Sequence, residues 1–469
     1  MNKLTRRTTL KGLAALPLAG CATHQAIQSA QVTAAPWHLA DDIAARITVP
    51  RFPDRDFFIT EFGAIGDDAS DCSDAFKSAI TACHKAGGGR VVVPPGVFLS
   101  GPIHLLSNVN LHLQDGATIA FYTDPKRYLP AVFTRWEGVE FMGYSPLIYA
   151  FEQSNIALTG KGTLDGRANK TTWWPWKGNK QWGRADFPSQ EQGRKQLFAA
   201  AEAGVPPQER HYSEGFYFRP PFVQPYRCQN VLIEDVIIID APFWLLHPVL
   251  CENVTVRGVK LKSLGPNSDG CDPESCKNVL IEHCLFDTGD DCIAIKSGRN
   301  ADGRRLGTAA ENIVIRNCKM LAGHGGVVIG SEISGDVRYV FAENNTMSSP
   351  DLQRSFRIKT NSVRGGLLEH IYMRNCTVGT VQDAIVINFD YEEGDAGSFD
   401  PTVRHIEINN FACANAEQAF EVLGFARAPI MDLRFIDCEF KHADKPGAIE
   451  NVAGLVLKNV SINGKAFKV

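Results

Sequence analysis

The sequence predicts an all-β chain: a right-handed parallel β-helix with a short N-terminal capping helix. Three observations carry this. A seven-residue phrase keeps returning: NVLIEDV from Asn230, NVTVRGV from Asn253, NVLIEHC from Asn278, NIVIRNC from Asn312, HIYMRNC from His370, HIEINNF from His405, DLRFIDC from Asp432 and GLVLKNV from Gly454. Its second and fourth places are apolar, the period of a strand. Apart from the step from Asn312 to His370, the interval between returns varies from about 22 to 35 residues, so the coil is constant and the inserted loops differ. No helical pattern of about 10–15 residues separates the strands, which disfavours alternating strand–helix units. A single phrase cannot bury its own apolar face, whereas stacked coils share one continuous core. The 469 residues therefore form one elongated repeat domain rather than two or three average ones.

The first residues lie outside that domain. The stretch LTRRTTLKGLAALPLAGC holds the pair Arg6 and Arg7, a modest apolar run and small residues leading to Cys21. Twin arginines in this setting read as a Tat export signal. Leu18–Cys21 also resembles a lipoprotein cleavage box, which would leave Cys21 lipidated as the mature first residue; a plain cleaved signal is the alternative. Ala22 after Cys21 fits outer-membrane sorting, so the expected location is the periplasm or outer membrane of a Gram-negative bacterium. Residues 1–21 are read as signal, 22–54 as tether and 55–469 as the β-helix. With no apolar run of about 18 residues to span a bilayer, membrane contact is expected through the lipid anchor alone. Lys and Arg number 48 against 52 Asp and Glu, a formal charge of −4, so no overall basic field points to nucleic acid.

Residues 55–100 read as a cap. In FFITEFGAIGDDASDCSDAFKSAITACHKAGGGRVVVPPGVFLSG, Cys72, Phe76, Ala79, Ile80 and Cys83 share a helical face, and Gly87–Gly89 end the helix. Such a helix would cover the open end of the coil stack, whose strand edges would otherwise be exposed. The glycine run follows a helix instead of opening one, against a phosphate loop. Further on, Cys284, Cys318, Cys376 and Cys438 fall at the seventh place of the phrase and should form an interior ladder. They are small buried hydrophobes rather than disulfides or metal ligands.

Chemistry concentrates in PNSDGCDPESCKNVLIEHCLFDTGDDC. Asp269 and Asp290 are 21 residues apart, close to one coil, and Asp291 follows; adjacent coils sit about 4.8 Å apart. Three carboxylates thus converge on the outer face, where repulsion would ordinarily disperse them. Strict alternation would send Asp291 inward beside Ile293 and Ile295, at high cost for an unpaired charge, so the strand is expected to break at Gly289. One coil on comes His324, between glycines. In RSFRIKTN, Arg357 and Lys359 share the outward face and suit a substrate carboxylate.

The blocks NSD, GDDC, GHG and RIK, in this order, resemble the signature blocks of the polygalacturonases, glycoside hydrolase family 28. The likeness covers nearly the whole chain after residue 55, including GAIGDD and GKGTLDG; the family commonly has Thr where this chain has Ser268. The resemblance implies a pectin-lyase-like solenoid and an inverting hydrolysis of α-1,4-galacturonosyl linkages in pectic polysaccharide or oligogalacturonide, with no cofactor and no metal. It implies an acid and a base about 6.5–9.5 Å apart, with Asp290 the acid and Asp269 and Asp291 holding and deprotonating the water. Like-charged neighbours are expected to raise the acid's pKa. His324 would tune the cluster, Arg357 and Lys359 would clamp a galacturonate carboxylate, and Asn267 would contact a hydroxyl. Tyr391 lies where the family has a subsite tyrosine, and Lys296 on the acid's strand could add a second carboxylate contact.

The loops 171–178, 179–215 and 297–310 are long enough to wall off one end of a groove, which predicts exo action. Trp173, Trp174 and Trp176 could stack on sugars or pack their loop. An endo-polygalacturonase or a rhamnogalacturonan hydrolase is the near alternative, although the latter tends to lack the Arg-Ile-Lys clamp. A calcium-dependent pectate lyase and a non-catalytic glycan-binding β-helix are the remoter ones.

Overall fold

The structure, a computed structural model, describes residues 35–183 and 187–468. The signal segment, Cys21 and residues 22–34 of the tether lie outside the described residues. Pro36–Val469 form one compact unit.

The repeated phrase is the rung of the solenoid. Strands Gln229–Glu234, Glu252–Arg257, Lys277–Glu282, Ala310–Arg316 and Val337–Glu343 stack in parallel and continue into Leu367–Asn388, Thr402–Leu423 and Ile430–Glu450. Their second places align through eight coils as Val231, Val254, Val279, Ile313, Val340, Ile371, Ile406 and Leu433, all buried. Each such side chain stabilises by about 1.5–3 kcal/mol, gained only when a neighbouring coil covers it.

Polar places are periodic too. The first place needs a left-handed backbone, which Asn tolerates well. Asn155, Asn230, Asn253, Asn278 and Asn312 all have φ between 55° and 60°. Each of the five passes a side-chain hydrogen bond to the Asn of the preceding coil, ending on Asn108. The fifth place alternates in charge, Glu234, Arg257, Glu282, Arg316, Glu343 and Arg374, with ion pairs between successive coils.

The cysteine ladder is interrupted. Cys284 and Cys318 occupy neighbouring coils. Asn345 then takes the slot, with its Oδ1 accepting from the Cys318 N–H at 2.9 Å. Phe411 separates Cys376 from Cys438. A second stack, Cys228, Cys251 and Cys276, runs at another corner. The twelve described cysteines are buried and free.

The capping helix is Ser73–Lys85 (α2, the second helix of the chain), burying Ala75, Phe76, Ala79, Ile80 and Cys83. Part of the stretch expected to be a tether is instead folded. Helix α1 (His38–Arg46) buries Ala40 and Ile43 against the coils. Just before it, Trp37 packs edge-on to Phe341 at 5.5 Å, with the Arg374 guanidinium 4.0 Å over its ring. An amphipathic turn flanked by polar loops is too short to stand out in the sequence.

The charged insertion also contains a helix, α3 (Glu191–Glu202), and α4 (Asn300–Leu306) lies in a later loop. Neither is a crossover between sheet strands. α3 packs through Leu197 and Ala201 on an antiparallel hairpin, Val132–Trp136 with Val139–Gly143, in a separate apolar cluster with Phe218, Phe243 and Trp244. That lobe sits over one end of the site.

Candidate active site

The strand carrying the two aspartates does break. It runs Leu285–Thr288, leaves the ladder, and resumes at Ile293–Ile295. A Cβ on Gly289 would lie 2.4 Å from the Gly265 carbonyl oxygen, so only glycine lets the chain pass there. Thr288 Oγ1 donates to the Asp290 carbonyl at 2.9 Å, and the Asp291 N–H donates to Asp290 Oδ1 at 3.0 Å. Asp291 is thereby turned out of the apolar core but not into solvent: it is 0% exposed, with Lys359 Nζ donating to its Oδ2 at 2.6 Å. Asp269, on the preceding coil, is 3% exposed.

One oxygen from each of Asp269, Asp290 and Asp291 lies within 4.8 Å of the others. That is closer than the roughly 6.5–9.5 Å expected of an acid–base pair. Adjacent coils fix the rung spacing, and cations between the carboxylates offset their repulsion. Lys296 Nζ lies 3.7 Å from both Asp269 and Asp272 and 3.3 Å from Glu332, and 4.5 Å over the Trp244 ring. Three carboxylates therefore already hold Lys296, a geometry that balances charge rather than leaving a free substrate clamp. A divalent cation in the trio would sit against Lys296, Lys359 and His324, which disfavours the lyase reading.

His324 Nδ1 lies 2.9 Å from Asp290 Oδ1. A Cβ at Gly323 would come within 2.4 Å of the Asp290 carbonyl oxygen, so the glycine before His324 permits this approach. The electrostatics differ from the sequence expectation. Burial acts to raise the Asp290 pKa, but the His324 hydrogen bond, with Lys359 and Lys296, outweighs it and holds Asp290 well below the usual carboxylate range. The same bond raises His324. Burial and mutual repulsion instead push Asp269 and Asp272 well up. The two shifts run in the direction that favours the pair's proton on His324 over a crowded Asp290.

Arg357 and Lys359 flank the inward Ile358, in register with the strand that follows His324. The Tyr391 ring lies 5.2 Å from the Arg357 guanidinium and 5.4 Å from Lys359 Nζ. Arg357 Nε is buried without a hydrogen-bond partner, as suits a group awaiting a ligand. Asn267 Oδ1 accepts from Arg219 Nη2 at 2.8 Å, which fixes the side chain at the edge of the same cavity.

Asn267, Asp269, Asp290, Lys296, His324, Arg357, Lys359 and Tyr391 line one cavity of about 230 Å³, with Asp291 behind Lys359. Sequence reasoning missed the rest of the wall: Glu137 on the hairpin turn, Lys177, Arg194 on α3, Trp244, Ser331, Glu332 and Glu392. Arg194 Nε donates to Glu137 at 2.7 Å, and Arg299 bridges Glu332, Glu392 and Glu393. Glu137, Lys177 and Arg194 stand on inserted segments, where no repeat marks them. The tryptophans pack their loop. Trp173 and Trp176 are buried edge-to-face at 5.0 Å, and Trp174 Nε1 donates to the Ala241 carbonyl at 3.0 Å.

The family profile described as glycosyl hydrolases family 28 matches residues 212–461. The chain is 26% identical over 442 residues to an exo-poly-alpha-D-galacturonosidase of Dickeya chrysanthemi, covering 86% of this chain and 70% of that one. It is 26% identical over 387 residues to a probable polygalacturonase of Vitis vinifera, covering 79% and 71%. Among solved structures it resembles a hyperthermoactive exopolygalacturonase from Thermotoga maritima, with a TM-score of 0.88 and 44% identity over 92% of this chain and 97% of that one.

Proposed function

The chain belongs to the glycosyl hydrolases of family 28, and from that premise we propose that it removes single galacturonate residues from the end of α-1,4-linked galacturonan, with inversion at the anomeric carbon. The observation that carries exo action is that inserted segments line one end of the cavity. The hairpin turn at Glu137 and the insertion bearing Lys177 and Arg194 form its blind end.

In this reading Asp290 protonates the glycosidic oxygen as the bond from C1 breaks, and His324 supplies that proton through the 2.9 Å contact. A water held between Asp269 and Asp291 attacks C1 from the other face and gives its proton to that pair. Asp269, raised by burial, is suited to accept it. Arg357 and Lys359, under Tyr391, hold the carboxylate of the sugar on the leaving-group side. Neither Asp269 nor Asp291 is a free nucleophile: Lys296 lies 3.7 Å from Asp269, and Lys359 lies 2.6 Å from Asp291. That supports attack by water despite the short carboxylate spacing.

Incubation with polygalacturonate and chromatography of early products tests the exo reading. Galacturonate monomer alone is expected from the first time point; a ladder of oligomers would instead mean internal cleavage.

A further inference from the structure

Lys177 is a half-buried cation that the chemistry above leaves without a task. Among the cavity's cations, Arg194 is paired with Glu137, Lys296 with Glu332, Lys359 with Asp291 and His324 with Asp290. Only Arg357 and Lys177 lack a carboxylate within 4.0 Å among the described residues. The two flank the acid along the solenoid axis. Arg357 stands on the coil after His324. Lys177 is carried on the other side, by a turn fastened through Trp174 to Ala241 on the coil before Asp269. The turn is rigid: Trp173 and Trp176 are buried beneath it, and the Trp176 carbonyl accepts from the Gln190 N–H at 2.8 Å. A cation fixed in place, partly desolvated and left unpaired is set to receive an anion.

A galacturonan presents one carboxylate on each sugar flanking the scissile bond. We infer that Lys177 binds the carboxylate of the terminal, departing galacturonate at the blind end of the cavity, and so makes the enzyme selective for a uronate over a neutral hexose at that position. The inference rests on the exo-galacturonan reading and adds a determinant of specificity to it. Burial, which lowers the Lys177 pKa, is the cost that an incoming carboxylate would offset.

The test compares kcat/KM for trigalacturonate with that for the same trimer whose non-reducing uronate has been reduced to galactose. A charged hydrogen bond of this kind corresponds to about 10–100-fold, so the wild-type enzyme should favour the intact trimer by that ratio. Lys177→Met should bring the ratio close to one, while Lys177→Arg should keep most of it. A merely structural role would lower both substrates together and leave the ratio unchanged in Lys177→Met; that result overturns the inference and leaves the exo reading standing. A wild-type enzyme that releases no terminal sugar from either trimer overturns both.

Discussion

Replacing Asp290 by Asn should lower kcat on polygalacturonate by about 10³–10⁴-fold, in the upper part of the range for loss of a positioned general acid, while near-ultraviolet circular dichroism stays unchanged. Asp290 lies outside the apolar core, and the bond its Oδ1 accepts from the Asp291 N–H can pass to the Asn amide oxygen, so the fold has no reason to respond. The same pair sets the alkaline limit of activity. With His324 raised and Asp290 lowered, the pair keeps its proton until pH rises through the His324 pKa, above the usual value of about 6.5. In His324→Gln only Asp290 can hold the proton. Its pKa then belongs with the carboxylates, and the alkaline limb of kcat/KM should move to lower pH. An unmoved limb would remove His324 from the proton's path.

The second large effect is on stability. Lys359→Met should cost about 3–5 kcal/mol, the usual penalty for stranding a buried charge, read as a lower urea midpoint. Asp291 is 0% exposed, its Oδ2 rests on Lys359, and its Oδ1 has no hydrogen-bond partner. Adding Asp291→Asn to that variant removes the stranded charge and should restore much of the loss, although activity stays low. Additive loss in the double variant would mean that the 2.6 Å pair does not hold the structure together as described.

The coils are legible in the sequence because each repeats the same constraint: apolar second and fourth places and a left-handed first place. The convergence of Asp269 with Asp290 and Asp291 is legible for the same reason, since one coil of chain brings them level. The break at Gly289 follows from the cost of burying an unpaired carboxylate. What the sequence conceals is whatever the repeat does not index. Glu137, Lys177 and Arg194 reach the cavity from insertions, and α1 folds where a tether is expected because its two buried side chains make a weak pattern. The protonation of Asp290 is hidden too, as it depends on a histidine one coil away at a distance only the folded chain defines. The three carboxylates also lie closer than an inverting pair usually does, because lysines from two other coil positions neutralise them.

That spacing makes stereochemistry the decisive observable, since about 5–5.5 Å between carboxyl groups is the hallmark of retention. Proton nuclear magnetic resonance of a fresh digest, recorded before mutarotation, reports the anomer released first. Direct attack by water held between Asp269 and Asp291 predicts β-galacturonate from the α-linked polymer. Initial release of the α anomer would contradict it and would make one of those two carboxylates a nucleophile.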